Sequence, residues 1–172
     1  MSIRHKKLEY IDESDLRELI NNQVPESRYL DYKRQLPGRT DDEKEFLGDV
    51  SSFANAAGGD IVYGMSEEKG IPAKLELMDS VDPDKETLRL EGMIRDGIDP
   101  HIVRVGIRPV RVNPPGYVFI VRVRKSWNSP HMVTYENHAK FYWRSSAGRY
   151  PLDVQDLRRA FLLAETLVPE DE

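Results

Sequence analysis

The sequence predicts an α/β (α+β) fold, a mixed β-sheet flanked by helices, and three observations carry that reading. Across residues 40–65 a capped helical stretch, a double glycine and a short, wholly apolar run follow one another without a break. Two valine-rich runs, 103–112 and 117–124, are joined by Asn113-Pro114-Pro115-Gly116, the composition of a hairpin turn. Helical periodicity recurs near residues 12–22, 82–98 and 152–164, so helices and strands are interspersed along the chain.

In order, the first helix spans about 12–22, with Asp12 as its cap and Leu16, Leu19 and Ile20 as its apolar stripe. Pro25 then biases the backbone towards extended geometry. A strand over about 28–34 puts Leu30 and Tyr32 on one face, Asp31 and Lys33 on the other. The next helix opens on Thr40 and Glu43 at capping-box spacing, and Phe46, Leu47, Val50, Phe53, Ala54 and Ala57 give it one apolar face. Gly58 and Gly59 stop it, and Ile61, Val62, Tyr63 and Met65 suit a strand covered on both sides. Residues 69–80 read as a loop, and Asp82-Pro83 starts a helix that ends near Gly97. In the run 103–112 the apolar parity switches at Pro109, which predicts a bulge and places Arg104, Arg108 and Arg111 on one face. Two short strands, 130–135 and 140–145, precede a final helix capped by Asp153, with Val154, Leu157, Phe161 and Ala164 as its stripe.

The 172 residues form one domain by length, 1–172, with a core over about 12–167 between a short basic start and an acidic tail. There is no cysteine, which excludes a disulfide frame, a thiolate nucleophile and a cysteine zinc site. No run reaches the ~18 apolar residues of a membrane span, and the start lacks a secretion signal, so a cytoplasmic, soluble protein is expected. The net charge is -5, yet arginines crowd 104–124 and 144–159 while acids gather at 9–18, 41–49, 76–86 and 170–172. A polyanion answers to such local patches more than to the total. No Gly-Lys dipeptide exists, so a P-loop is excluded and no nucleotide cofactor is expected.

Residues 53–68, FANAAGGDIVYGMSEE, resemble the FxNxxGGxxxxGxxD signature of the Schlafen AlbA_2 domain. Upstream, ESRYLDYK at 26–33 resembles that family's ExxxxE(F/Y)K, and FYWRSSAG at 141–148 is similar to its closing strand-and-arginine element. The three motifs stand in the family's order and span about residues 20–165. The resemblance implies a nucleic-acid-binding domain, with RNA favoured over DNA as partner. It also implies an endoribonuclease site in which Glu26, Asp31 and Glu67 are catalytic and hold Mg²⁺ or Mn²⁺. Converging carboxylates can hold such an ion, which orients water and stabilises charge on a phosphate. The second acid is Asp where the family has Glu, and the third is Glu where it has Asp.

Each candidate has a plainer reading. Glu26 and Glu67 are equally solvated strand ends, and Asp31 equally the partner of Lys33. For Asp31 to meet Glu26, the latter must lie in the loop after Pro25, because their odd spacing parts them on a continuous strand. Lys33 and Arg34 suit phosphate or the nearby acids. Arg144 and Arg149 flank a polar stretch read as a flexible loop that contacts nucleic acid. The hairpin arginines are a solvated face unless something covers it. Two further functions stay open beside the nuclease: a non-catalytic DNA- or RNA-binding regulatory module, and a protein-interaction adaptor. Schlafen nucleases join two such lobes, which a homodimer of this chain would reproduce.

Overall fold

The computed structural model describes residues 3–38 and 40–166, except the Thr40 side chain; the expected Thr40–Glu43 cap and the tail at 170–172 therefore lie outside the described residues. Two short 3-10 turns, Ile3–His5 and Leu8–Tyr10, lead into α1 (Glu13–Asn21). Asp12 caps it: its carboxylate accepts the Ser14 and Asp15 N–H groups at 2.9 and 3.3 Å, and Asp15 accepts the Asp12 N–H at 2.9 Å. The chain then forms β1 (Leu30–Lys33), α2 (Thr40–Asn55), β2 (Gly59–Tyr63), β3 (Met65–Glu68), β4 (Ile71–Leu75) and α3 (Pro83–Gly97). It continues through β5 (Ile98–Asp99), β6 (Val105–Val112), β7 (Gly116–Val123), β8 (Met132–Val133), β9 (Lys140–Ser145), β10 (Gly148–Pro151) and α4 (Val154–Thr166).

The main sheet has the order β1-β2-β7-β6, with β1 parallel to β2 and the other pairs antiparallel, which is the mixed sheet expected. Each face covers its own core. Phe46, Val50 and Phe53 of α2 and Leu90 and Ile94 of α3 meet Ile61, Tyr63, Phe119 and Val121 on one side. Leu16 and Leu19 of α1 and Ile3 of the N-terminal segment meet Tyr32, Val62, Val118 and Ile120 on the other. A second, antiparallel sheet, β10-β9-β8-β5, is tied to α2 through Asn55, whose side-chain amide donates to the carbonyls of Tyr142 and His131 at 2.8 and 3.1 Å.

Four expectations are corrected. The β6–β7 register runs unbroken from Val105↔Val123 to Val112↔Gly116, without a bulge at Pro109. The parity switch instead records a strand with apolar partners on both faces: Val105 and Ile107 join the core under α2 and α3, with α3 the helix over this strand, and Val110 and Val112 join the core under α1. Pro109 is tolerated because β6 is an edge strand. Consequently Arg108 shares the α1 face, where its Nε donates to the Ile11 carbonyl at 3.0 Å, while Arg111 alternates to the opposite face.

Residues 69–80 are not one loop, because β3 and β4 form a hairpin whose turn residues Lys69 and Gly70 take φ of 51° and 78°. Positive φ at both central positions, with glycine second, is a compact hairpin turn. The stretch between Arg144 and Arg149 is likewise a tight hairpin, with those two residues paired across β9 and β10. Finally, α4 is capped by Asp153, which accepts the Asp156 N–H at 2.8 Å, but its stripe is not buried: Val154 is 73 % and Phe161 50 % exposed. Among the described residues no helix is long and apolar enough to cross a membrane.

Candidate functional site

The end of β1 and the start of β3 line a cleft of about 430 Å³ whose walls include Glu26, Asp31, Lys33, Arg34 and Glu67. All three acids singled out in the sequence thus reach one place, together with both neighbouring cations. Strand alternation sends Asp31 and Lys33 towards α2, and the loop before β1 brings Glu26 back along the strand's free edge. There Glu26 Oε1 accepts the Tyr32 N–H at 3.1 Å, satisfying a donor that an edge strand would leave open. Glu67 arrives from the β3–β4 hairpin, its carboxylate accepting the Gly70 N–H at 2.6 Å.

Burial pushes the Glu26 carboxyl up to about 7, aided by its interaction with Asp31 and by the negative charge of Glu67; the Tyr32 N–H works the other way. A carboxylate among carboxylates resists ionising. Asp31 has compensation on its other side: its Oδ2 accepts from Arg144 Nη2 at 3.2 Å, with Lys33 Nζ at 3.8 Å.

Behind Asp31 lies a second acid, Asp49 of α2, which the sequence reading did not single out. It is 4 % exposed and meets Arg149 Nη1 at 3.2 Å, Lys33 Nζ at 3.4 Å and Arg144 Nη1 at 3.6 Å. Burial raises its carboxyl, while Lys33, Arg149 and Arg144 pull it down. Burial also opposes the charge on Lys33, yet Asp49, Asp31 and Glu45 outweigh it and hold the ammonium above its ordinary value. The signal for Asp49 was present: it stands three residues after Phe46 and four before Phe53, on the apolar face of the helix, where an acid needs a partner.

The arginines divide by exposure. Arg144, expected to touch nucleic acid from a loop, is buried; its guanidinium stacks 4.0 Å over the Phe53 ring, and its Nε and Nη1 have no hydrogen-bond partner among the described residues. Arg149 spans α2, donating to the Glu45 carbonyl at 2.7 Å, and lies against Gly48. Arg34 is the open one, its side chain 66 % exposed with Glu76 at 3.8 Å. Of the four expected nucleic-acid contacts, Arg34 faces solvent most and Arg144 least.

Oxygen donors of this kind suit Mg²⁺ or Mn²⁺. As arranged, however, no three His, Cys, Asp or Glu side chains among the described residues form a metal-holding group. Glu67 is turned onto the Gly70 N–H and Asp31 onto Arg144.

A mixed sheet with helices on both faces, a second sheet over α2 and a charged cleft at the end of β1 define an α+β domain. The chain belongs to the Schlafen AlbA_2 family, whose description matches residues 26–153. No curated protein matches the chain by sequence. Among solved structures, the DIP2311 protein from Corynebacterium diphtheriae is similar at a TM-score of 0.50 and 19 % identity, covering 80 % of this chain and 30 % of that one. This chain therefore spans less than a third of that protein. The N-terminal domain of a RecG-related protein from Nitrosomonas europaea is similar at a TM-score of 0.50 and 20 % identity, covering 67 % of this chain and 74 % of that domain. At these identities the likeness is one of fold.

Proposed function

We propose that the protein binds nucleic acid, RNA in preference to DNA, along the cleft at the end of β1. The observation that carries this is the meeting of Lys33 and the exposed Arg34 with the acids of that cleft, in a chain of this family. In this reading the exposed Arg34 meets phosphate, while Lys33, paired to Asp49 and Asp31, sets the local charge.

A second reading, cleavage of RNA with a divalent ion, is favoured by the convergence of Glu26, Asp31 and Glu67 on one cleft. Glu67 accepts the Gly70 N–H through one oxygen only, so in this reading its other oxygen is the one offered to an ion. A homodimer that pairs two clefts belongs to this second reading.

Purified protein with labelled tRNA and single-stranded DNA, in Mn²⁺ or in EDTA, tests both. Retention of RNA in EDTA supports binding, and shortening of the tRNA only in Mn²⁺ supports cleavage. Absence of retention for every nucleic acid refutes the first reading. Light scattering with and without RNA reads the oligomeric state.

A further inference from the structure

A second charged cavity, of about 300 Å³, lies at the other end of the main sheet. β2 runs from Gly59, which lines this cavity, to Tyr63, paired with Lys33 of the cleft, so these two ends of the strand lie about 13 Å apart at ~3.3 Å per residue. The cavity is lined by Arg4, Arg104, Arg122, Arg124, Lys125 and one acid, Asp60. That acid is spent. Arg122 holds it through two bonds of 2.7 and 3.0 Å, both side chains buried.

Among the described residues the side chains of Arg104, Arg124 and Lys125 make no ion pair, and all three are exposed. The fold gathers them: the Arg124 N–H donates to the Arg104 carbonyl at 3.1 Å across the strand ends. Gly58, at φ +74°, brings the end of α2 against the backbone of Val123 and Lys125. Arg4 stands at the same cavity with its guanidinium 3.6 Å over the Tyr29 ring. A chain of net charge -5 thus concentrates positive charge in a concave site away from its acidic cleft.

We infer that this cavity is a second contact for nucleic acid, taking phosphates of the same strand that enters the acidic cleft. The inference rests on the nucleic-acid reading above. At 3.4 Å per step along one strand, reaching from Lys33 to the Gly59 end of β2 takes about four steps. The arginines and the lysine are the residues that neutralise phosphate, and the glycine turn adds no side chain to obstruct it.

The test is anisotropy of a labelled single-stranded RNA 20-mer across a salt series, for wild type, for Arg104→Gln/Arg124→Gln/Lys125→Gln, and for Arg34→Gln. The triple variant should bind at least tenfold more weakly, with a salt slope shallower by about 2, near 0.7 for each single-strand phosphate that is no longer neutralised. Its melting temperature should match wild type, because the three side chains are exposed. Unchanged affinity and slope in the triple variant, with weaker binding in Arg34→Gln, would leave the cleft reading standing and overturn this one. No RNA binding by wild type overturns the inference together with the reading it rests on; inorganic pyrophosphate binding by wild type that disappears in the triple variant would then keep the cavity as a phosphate site and overturn only its nucleic-acid role. No binding of either probe overturns the inference.

Discussion

Asp31 and Arg144 meet at 3.2 Å between β1 and β9, 113 residues apart in sequence, with side chains only 11 % and 4 % exposed. This pair joins the main sheet to the second sheet and fixes one wall of the cleft. Sequence alone suggests that Asp31→Asn is tolerated, since the two side chains are nearly isosteric. The buried guanidinium changes that expectation: it would keep only Asp49, at 3.6 Å. Breaking one side of a buried pair costs about 3–5 kcal/mol. Asp31→Asn should therefore melt well below wild type, and denaturant unfolding checks it. A melting temperature equal to wild type would show that Asp49 alone suffices for Arg144.

Arg122 holds the N-terminal segment to the sheet, since its Nη2 donates to the Ile3 carbonyl at 2.8 Å while Nε holds Asp60. Arg122→Leu leaves Asp60 buried and uncompensated, again a loss of about 3–5 kcal/mol. Faster amide exchange across residues 3–10 should accompany the loss of stability. Protection of that segment at the wild-type level would contradict this anchoring role.

A helix-interior glycine replaced by alanine normally gains about 0.5–1 kcal/mol. Gly48 should not show that gain, because a Cβ there would meet the Arg149 guanidinium, which must leave Asp49 to make room. Gly48→Ala is expected to gain nothing and to displace Arg149 from Asp49. An increase in melting temperature of the double variant Gly48→Ala/Arg149→Ala over Arg149→Ala alone would isolate the clash as the cause.

Glu26 carries a pH dependence. Its carboxyl stands at about 7 in the folded protein against an ordinary 4.5, so the fold binds this proton more tightly than the unfolded chain does. Its contribution is complete below pH 4.5 and is lost as pH rises through 7. Wild type should lose more melting temperature between pH 5 and pH 8 than Glu26→Gln, which has no carboxyl to ionise. Parallel curves for the two proteins would remove Glu26 as the source.

Much of this was legible locally. The capped α1 and α3, the glycine stop after α2 and the buried β2 are written in caps and periodicity, which act over a few residues. The convergence of Glu26, Asp31 and Glu67 was legible only through motif resemblance, because it depends on a loop and a separate hairpin. The burial of Arg144 is not legible in its own stretch, because exposure is not a local property: what buries it is α2, through Phe53 and Asp49. Lys69-Gly70 carries a local hairpin signal, glycine at the second turn position, but the strands on either side are too short for alternation to show them. The α4 stripe shows the reverse error. Its periodicity is real, but periodicity names a face and not what covers it.

Gly70 is bonded on both sides of its peptide to the acids of the cleft: its carbonyl accepts the Glu26 N–H at 2.7 Å and its N–H donates to Glu67 at 2.6 Å. The Glu26 carboxylate, though, is moored to β1 through the Tyr32 N–H, beside Asp31, so of the three acids only Glu67 belongs to the β3–β4 hairpin. The gap between one strand and one hairpin turn therefore sets the spacing of all three carboxylates.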